Sequence, residues 1–210
     1  MKHLFTCMAV AVAMLSTVGA QAQKLGFHIG YSSQHLPAYT LIERKPVVCH
    51  DLSGVFLNID YTLKLSQHWG VTAGLGGRFN LREYPTTLTF LPATTEEQQI
   101  VVDVPVLASF SVPLSDYATL SLFLGPMVSF GITGTSTVTE QLYGNSVKAL
   151  WYEANPVYKR LDLQGTGGLA VDVQHLRIFG GYSMGILSLN PNEGPDIKTT
   201  AFYLGLGYTL

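Results

Sequence analysis

Charge is scarce in this chain. Asp, Glu, Lys and Arg make up 12% of its 210 residues, about half the share of an ordinary soluble domain. Cysteine is nearly missing, with only Cys7 and Cys49, and Cys7 lies in a stretch expected to be removed. One remaining cysteine cannot close an intramolecular disulfide, which excludes a disulfide-built secreted module. Beyond the opening residues there is no unbroken apolar run of 18 residues, so crossing a membrane as a helix is excluded there. Basic clusters are also missing, and at a net charge of −2 the chain lacks the footprint of a nucleic-acid binder. No metal-ligand spacing, phosphate-cradling glycine loop or zincin motif occurs, so no metal and no cofactor is expected.

What is abundant is glycine, 21 residues, set among alternating apolar side chains. The first residues read as a leader. Lys2 and His3 precede an apolar run from Leu4 to Val18, and Ala20-Gln21-Ala22 supplies a small-x-small cleavage pattern. The expected division is a signal peptide over 1–22 and a single domain over 23–210.

In that domain the closing segment is the most informative. Phe202, Leu204, Leu206, Tyr208 and Leu210 share one face of an extended strand, and Ala201, Tyr203, Gly205, Gly207 and Thr209 share the other. The second face is too poor in bulk for a globular core and too thin for water. A membrane barrel reconciles the two, with large apolar side chains toward lipid and small or polar ones toward a narrow lumen. Eight such segments are expected, near 25–33, 52–63, 69–80, 100–111, 118–132, 157–173, 175–189 and 197–210. The links between them alternate long and short: 34–51 and 81–99 are long, 133–156 is long, while those around His68, 112–117 and 172–175 are tight. An up-and-down barrel with long outer loops and short periplasmic turns has this order. The fold class is therefore all-β, an eight-stranded antiparallel up-and-down transmembrane β-barrel, placed in the cell outer membrane. Pro105 and Pro126 fall inside strands, where each is expected to mark a bulge or kink.

Strand parity also sorts the charges. Asp60, Arg78, Asp103, Arg160, Asp162 and Arg177 all fall on the small, polar side, where three acids and three bases can neutralise one another in the lumen. The opposite assignment would expose arginine to lipid at about 2–4 kcal/mol each near the midplane. With Phe56, Phe123, Met127, Phe179 and Tyr203 on the same side, an eight-stranded interior is expected to be filled rather than open. Tyr31, Tyr61, Trp69, Phe79, Phe110, Phe130, Tyr182 and Tyr208 take the lipid side, as interfacial girdles require.

Several segments together resemble the small outer-membrane barrels widespread in Bacteroidetes, the PorT-like group. They are Val102-Asp-Val-Pro-Val-Leu107, Leu124-Gly-Pro-Met-Val-Ser129, Gly165-Thr-Gly-Gly168, Gly181-Tyr-Ser-Met-Gly-Ile186 and Leu204-Gly-Leu-Gly-Tyr208. The resemblance spans nearly all of residues 23–210 and implies an outer-membrane barrel with no catalytic residues. It also implies outer-membrane lipid, lipopolysaccharide and the barrel assembly machinery as partners. Barrels similar to this one commonly end on an aromatic residue; this sequence ends on Leu210.

Two roles compete. A hydrolase needs a base within reach of a nucleophile. The histidines after residue 22 are His28, His35, His50, His68 and His175. His68 and His175 fall in turns, His28 faces the lumen, and Cys49 and His50 are neighbours whose side chains point apart on extended chain. The expectation is a non-enzymatic barrel, structural or binding through its outer loops, with a lipid-modifying enzyme as the alternative and no catalytic residue assigned. A narrow ion channel and a secretion accessory protein are less favoured readings. Tyr143, Trp151 and Tyr152 in 133–156 are read as an extension of the outer aromatic girdle, with contact to an extracellular ligand as the competing reading of the same loop residues.

Overall fold

A computed structural model of the chain describes residues 23–36, 38–39, 46–47, 51–88, 91–153, 156–191 and 196–210. The leader expected at 1–22, together with Cys49 and His50, lies outside the described residues. Among the described residues the strands run in the order β1 (Gln23–His35), β2 (Ala38–Tyr39), β3 (Pro46–Val47), β4 (Leu52–Lys64), β5 (Trp69–Leu88), β6 (Leu91–Pro113), β7 (Ala118–Glu140), β8 (Ser146–Leu150), β9 (Leu161–Val173), β10 (Leu176–Gly185) and β11 (Thr200–Thr209). β2 and β3 form a small separate hairpin. The others form one antiparallel sheet, ordered β6-β5-β4-β1-β11-β10-β9-β7-β8, and β6 also pairs with β7. That last pairing closes β1, β4, β5, β6, β7, β9, β10 and β11 into a ring of eight, so the barrel has no open edge at membrane level.

The alternation expected from the sequence sets the two faces. Outward positions such as Ile29, Leu57, Leu75, Leu124, Ile178 and Leu206 are exposed, and their inward neighbours are buried or half-buried. In water this arrangement would be unstable. In a bilayer it is what the hydrophobic effect demands, because the apolar belt contacts lipid tails rather than solvent. Of the aromatic residues expected to face lipid, Tyr61 is half-buried and the other seven are exposed. The tight turns and both barrel termini share one end. There the Leu210 amide donates to the Leu25 carbonyl at 2.9 Å and the Thr209 amide to the His175 carbonyl at 2.8 Å.

At the other end the strands outrun the expectation. β5, β6 and β7 have 20, 23 and 23 residues, whereas about 9–11 suffice to cross the bilayer. In the segment 81–99, expected to be a loop, residues 81–88 continue β5 and residues 91–99 open β6, and much of 133–156 is β7 and β8. The cause is alternation that does not stop at the membrane. Asn80, Arg82 and Tyr84 all stay buried on the inner side of β5, as do Gln99, Glu97 and Thr95 on β6. β9 begins at Leu161 rather than 157, β10 ends at Gly185 rather than 189, and β11 begins at Thr200 rather than 197. The lost ends fold instead into a cap over the outer mouth.

Of the bulge or kink expected at each in-strand proline, the bulge is corrected. The register irregularity between β6 and β7 lies at Ile100/Val101, where Ile100 faces Thr133 and Val101 faces Gly131, leaving Ile132 as the extra residue of β7. One extra residue inverts the side-chain parity of the strand above it. Accordingly Ser121 and Ser129 are inward below Ile132, and Ser136, Val138 and Glu140 are inward above it. Pro105 and Pro126 produce gaps in the ladder without shifting register. The β5–β6 pairing passes from Ala73↔Val106 to Gly76↔Asp103, and the β6–β7 pairing from Pro105↔Met127 to Ala108↔Leu124. Proline has no N–H to donate, so hydrogen bonds are lost there while the strands stay aligned.

Candidate functional site

The interior is layered from the outer mouth to the turn end. The top layer is an apolar cap of Leu36, Leu52, Trp151, Tyr158, Leu189 and Ile197, all buried. Trp151 is 1% exposed. Its ring packs on Tyr158 with centroids 5.0 Å apart, and its Nε1 donates to Ser136 Oγ at 2.7 Å. The ring rests on Gly134, where a Cβ would stand 2.6 Å from its nearest atom. Tyr152 lies over Gly131 in the same way. Glycine in this wall therefore provides the seats that inward rings occupy.

Beneath the cap lies a buried polar layer. Arg82 Nε donates to Glu97 Oε2 at 2.5 Å, Arg82 Nη1 to the Leu36 carbonyl at 2.8 Å, and Ser136 Oγ to Glu97 Oε1 at 3.0 Å. Arg82 and Glu97 sit directly opposite each other on β5 and β6. Asn80 Nδ2 donates to Gln34 Oε1 and to Gln99 Oε1, each at 3.1 Å, and Gln99 Nε2 donates to the Tyr152 hydroxyl at 3.1 Å. Burial holds the Tyr152 phenol above its usual range, so it stays neutral around pH 7. A charged pair this deeply buried needs both partners and their additional hydrogen bonds to offset desolvation, and the Leu36, Ser136 and Tyr84 contacts supply them.

The middle layer holds most of the charges expected in the lumen. Arg78 Nη2 donates to Asp103 Oδ1 at 3.1 Å, and Ser129 Oγ donates to the same oxygen at 2.5 Å. Asp60 is buried and lies 2.7 Å from His28 Nε2, with neither ring nitrogen of His28 in hydrogen-bond alignment. Asp162 accepts from Thr199 Oγ1 at 2.5 Å and Gln164 Nε2 at 2.7 Å. A ring cluster fills the β1–β4–β10–β11 side: Phe179 lies 5.2 Å from His28, 6.0 Å from Phe56 and 6.4 Å from Tyr203. Lowest is a polar vestibule of about 230 Å³ bordered by Lys24, Lys64, Asp172 and Arg177. There Arg177 Nε donates to Asp172 Oδ1 at 2.9 Å.

Of the six charges expected to neutralise one another, the structure pairs Arg78 with Asp103. Asp60 meets a histidine, Asp162 meets neutral donors, and Arg177 meets Asp172. Arg160 is corrected outright: it precedes β9, is exposed, and donates to the Tyr152 carbonyl at 3.2 Å from outside the lumen. The chain bends at residue 160 before β9 begins, so strand parity does not extend to it. Arg82–Glu97, the deepest pair, was missed. The signal was present, because Arg82 continues the inward parity of Arg78 and Asn80. The loop aromatics are also corrected. Tyr143 is 73% exposed near the tip of the β7–β8 hairpin, whereas Trp151 belongs to the cap and Tyr152 is half-buried against Gln99.

His35 Nδ1 lies 2.8 Å from Asp51 Oδ1 at the outer rim. At the turn end His68 Nδ1 lies 2.9 Å from the Ser111 carbonyl and His175 Nδ1 2.9 Å from the Thr209 carbonyl. Each thus helps to hold a turn to its neighbouring strand.

No family model matches the chain, and no curated protein matches it. Among solved structures it is similar to the attachment invasion locus protein Ail of Yersinia pestis in complex with the heparin analogue sucrose octasulfate, at 16% identity, covering 90% of this chain and all of that one, with a TM-score of 0.49. It is similar to Neisserial surface protein A at 11% identity, covering 90% of this chain and 98% of that one, with a TM-score of 0.44. The outer membrane protein OprG from Pseudomonas aeruginosa is 11% identical, with coverage of 91% and 98% and a TM-score of 0.37. The architectural assignment rests on the strand pairing itself. A closed, even-numbered antiparallel ring with a continuous apolar outer belt and tight turns at one end is built for the bacterial outer membrane. This chain is an outer-membrane β-barrel.

Proposed function

We propose that the protein is a non-enzymatic outer-membrane barrel that displays a rigid β-sheet outside the cell, its lumen closed by side chains. One observation carries the reading: the buried Trp151 cluster packs over the Arg82–Glu97 layer at the outer end, while β5, β6 and β7 run on past the length a bilayer needs and take on β8 as a fourth strand. Material invested in closing the pore and extending the wall favours display over passage. The exposed hairpin tips, with Tyr143 on the β7–β8 turn, are the surface offered to an extracellular ligand. Residues 1–22 act in this reading as a cleaved signal peptide. Outer-membrane lipid and lipopolysaccharide surround the belt in this reading, and the barrel assembly machinery inserts the chain. The resemblance to the PorT-like barrels of Bacteroidetes supports the same role.

The test uses protein inserted in lipid vesicles and planar bilayers. Closure predicts no resolved conductance steps, and display predicts no turnover of lipid A or phospholipid. Shortening the β7–β8 turn at 141–145 abolishes cell-surface binding while leaving the heat-dependent gel shift of a folded barrel intact. Catalytic turnover of either lipid would replace this reading with the lipid-modifying enzyme. Steady channel steps in the unmodified protein would refute closure.

A further inference from the structure

We propose that the middle of the lumen is a binding chamber for one small aromatic molecule that carries a hydroxyl or comparable hydrogen-bonding group. The inference goes beyond display by the outer sheet and does not depend on it. A void of about 120 Å³ lies between the Phe56–Phe179–Tyr203 ring cluster and the glycine-rich β5 wall. An apolar cavity of roughly 150 Å³ accepts a benzene ring, so the space suits a single ring.

Its lining has two characters. Phe56, Phe123, Met127, Phe179 and Tyr203 present apolar surface. Opposed to them is a set of buried polar atoms without a hydrogen-bond partner: His28 Nδ1, Asn58 Oδ1, Arg78 Nε and Ser183 Oγ, the other ring nitrogen of His28 lying against Asp60. His28, Arg78 and Ser183 are 5%, 6% and 1% exposed, and all four residues border the void. A buried donor or acceptor left unpaired destabilises the fold, so a group that pairs with them gains what they lack. Water alone would satisfy the polar edge and leave the aromatic half poorly contacted. A ring with one hydroxyl satisfies both.

Access is built into the same place. The cap blocks the outer mouth, but the adjoining wall is the Val104–Leu107 stretch of β6, which lacks ladder pairing to β5 at Val104 and Pro105 and to β7 at Val106 and Leu107. Pro105 and Leu107 themselves line the void. A molecule dissolved in the bilayer therefore meets the least hydrogen-bonded part of the barrel next to the chamber.

Two methionines make the test internal. Met127 lines the chamber, and Met184 faces lipid at 57% exposure. The protein, isolated from membranes with ¹³C-methyl methionine and placed in lipid nanodiscs, is titrated with phenol and separately with benzene. The Met127 methyl resonance should shift saturably while Met184 barely moves, and phenol should bind at least as tightly as benzene. In a purely apolar hole the hydroxyl would lose its water partners without replacement and benzene would win. Ser183→Ala combined with Asn58→Leu should turn the preference toward benzene by about tenfold. Leu107→Trp should fill the chamber and abolish the Met127 shift; if that variant loses its heat-dependent gel shift, Leu107→Phe is used and should weaken binding. An unmoved Met127, a Met127 shift that only tracks Met184 without saturation, or benzene preferred in the unmodified protein would each overturn the proposal.

Discussion

Gly134→Ala should dislodge the outer cap, and its size follows from the geometry beneath Trp151. A methyl on residue 134 would stand 2.6 Å from Trp151 Cε3, 2.7 Å from Cδ2 and 2.9 Å from Cγ, whereas carbon atoms pack best at about 3.5–4.0 Å. The ring has little room to retreat. It is tied by Nε1 to Ser136 Oγ at 2.7 Å, its backbone amide donates to the Gly134 carbonyl at 2.8 Å, and Tyr158 packs against it. Overpacking of this kind costs about 1–3 kcal/mol, and loss of the indole hydrogen bond would add about 1 kcal/mol. Against this, replacing glycine by alanine lowers the entropy of the unfolded chain, worth about 0.4–1 kcal/mol. Gly77 isolates that last contribution, because a Cβ there meets nothing within 4 Å. Gly77→Ala should thus be neutral or stabilising, and Gly134→Ala destabilising by about 1–3 kcal/mol. The chain has two tryptophans, so a Trp69→Phe background leaves Trp151 as the only indole. In lipid vesicles its emission should shift to the red and its acrylamide quenching rise in Gly134→Ala, together with a lower urea midpoint. Adding Trp151→Leu should remove most of the penalty of the alanine. Equal midpoints and equal quenching for the two glycine variants would refute the seat-and-ring account of this wall.

Other outcomes follow from the same layers. Arg82→Met should cost about 3–5 kcal/mol by stranding the buried Glu97 carboxylate, and Arg82→Met with Glu97→Met should recover most of it, as a double-mutant cycle in urea would measure. Trp151→Ala should cost about 3–5 kcal/mol and expose the outer mouth to protease, whereas Tyr143→Ser, on an exposed turn, should change stability by no more than about 0.5 kcal/mol. Pro105→Val restores an N–H to β6 and should raise the unfolding midpoint by an amount equivalent to about 0.5–1.5 kcal/mol; no rise would mean that the ladder gap has another cause.

Local alternation was enough to determine which side of each strand meets lipid, since a period of two needs no knowledge of neighbours. It placed Leu204 and Leu206 outward and Gly205 and Gly207 inward, and it put Arg78 and Asp103 on the lumen side before any pairing was known. Scarcity of charge and the rhythm of tight turns were likewise properties of the chain read in order, and they suffice for an eight-stranded membrane barrel. Partners across the barrel were not legible, because they depend on register and closure. Arg78 reaches Asp103 diagonally, Asp103 itself facing Gly76, and Asp60 finds His28 only because β1 and β4 align Gly26 with Asp60. The parity switch at Ile132 came from one residue left over in the β6–β7 register, which nothing local announces. The cap needed the most distant information. Trp151 looked like an exposed loop aromatic until the ends of β1, β4, β10 and β11 converged around it. Its seat is Gly134 of β7, while Gly205 and Gly207, whose small face pointed to a membrane, make room for Phe179 and His28 deeper in the lumen.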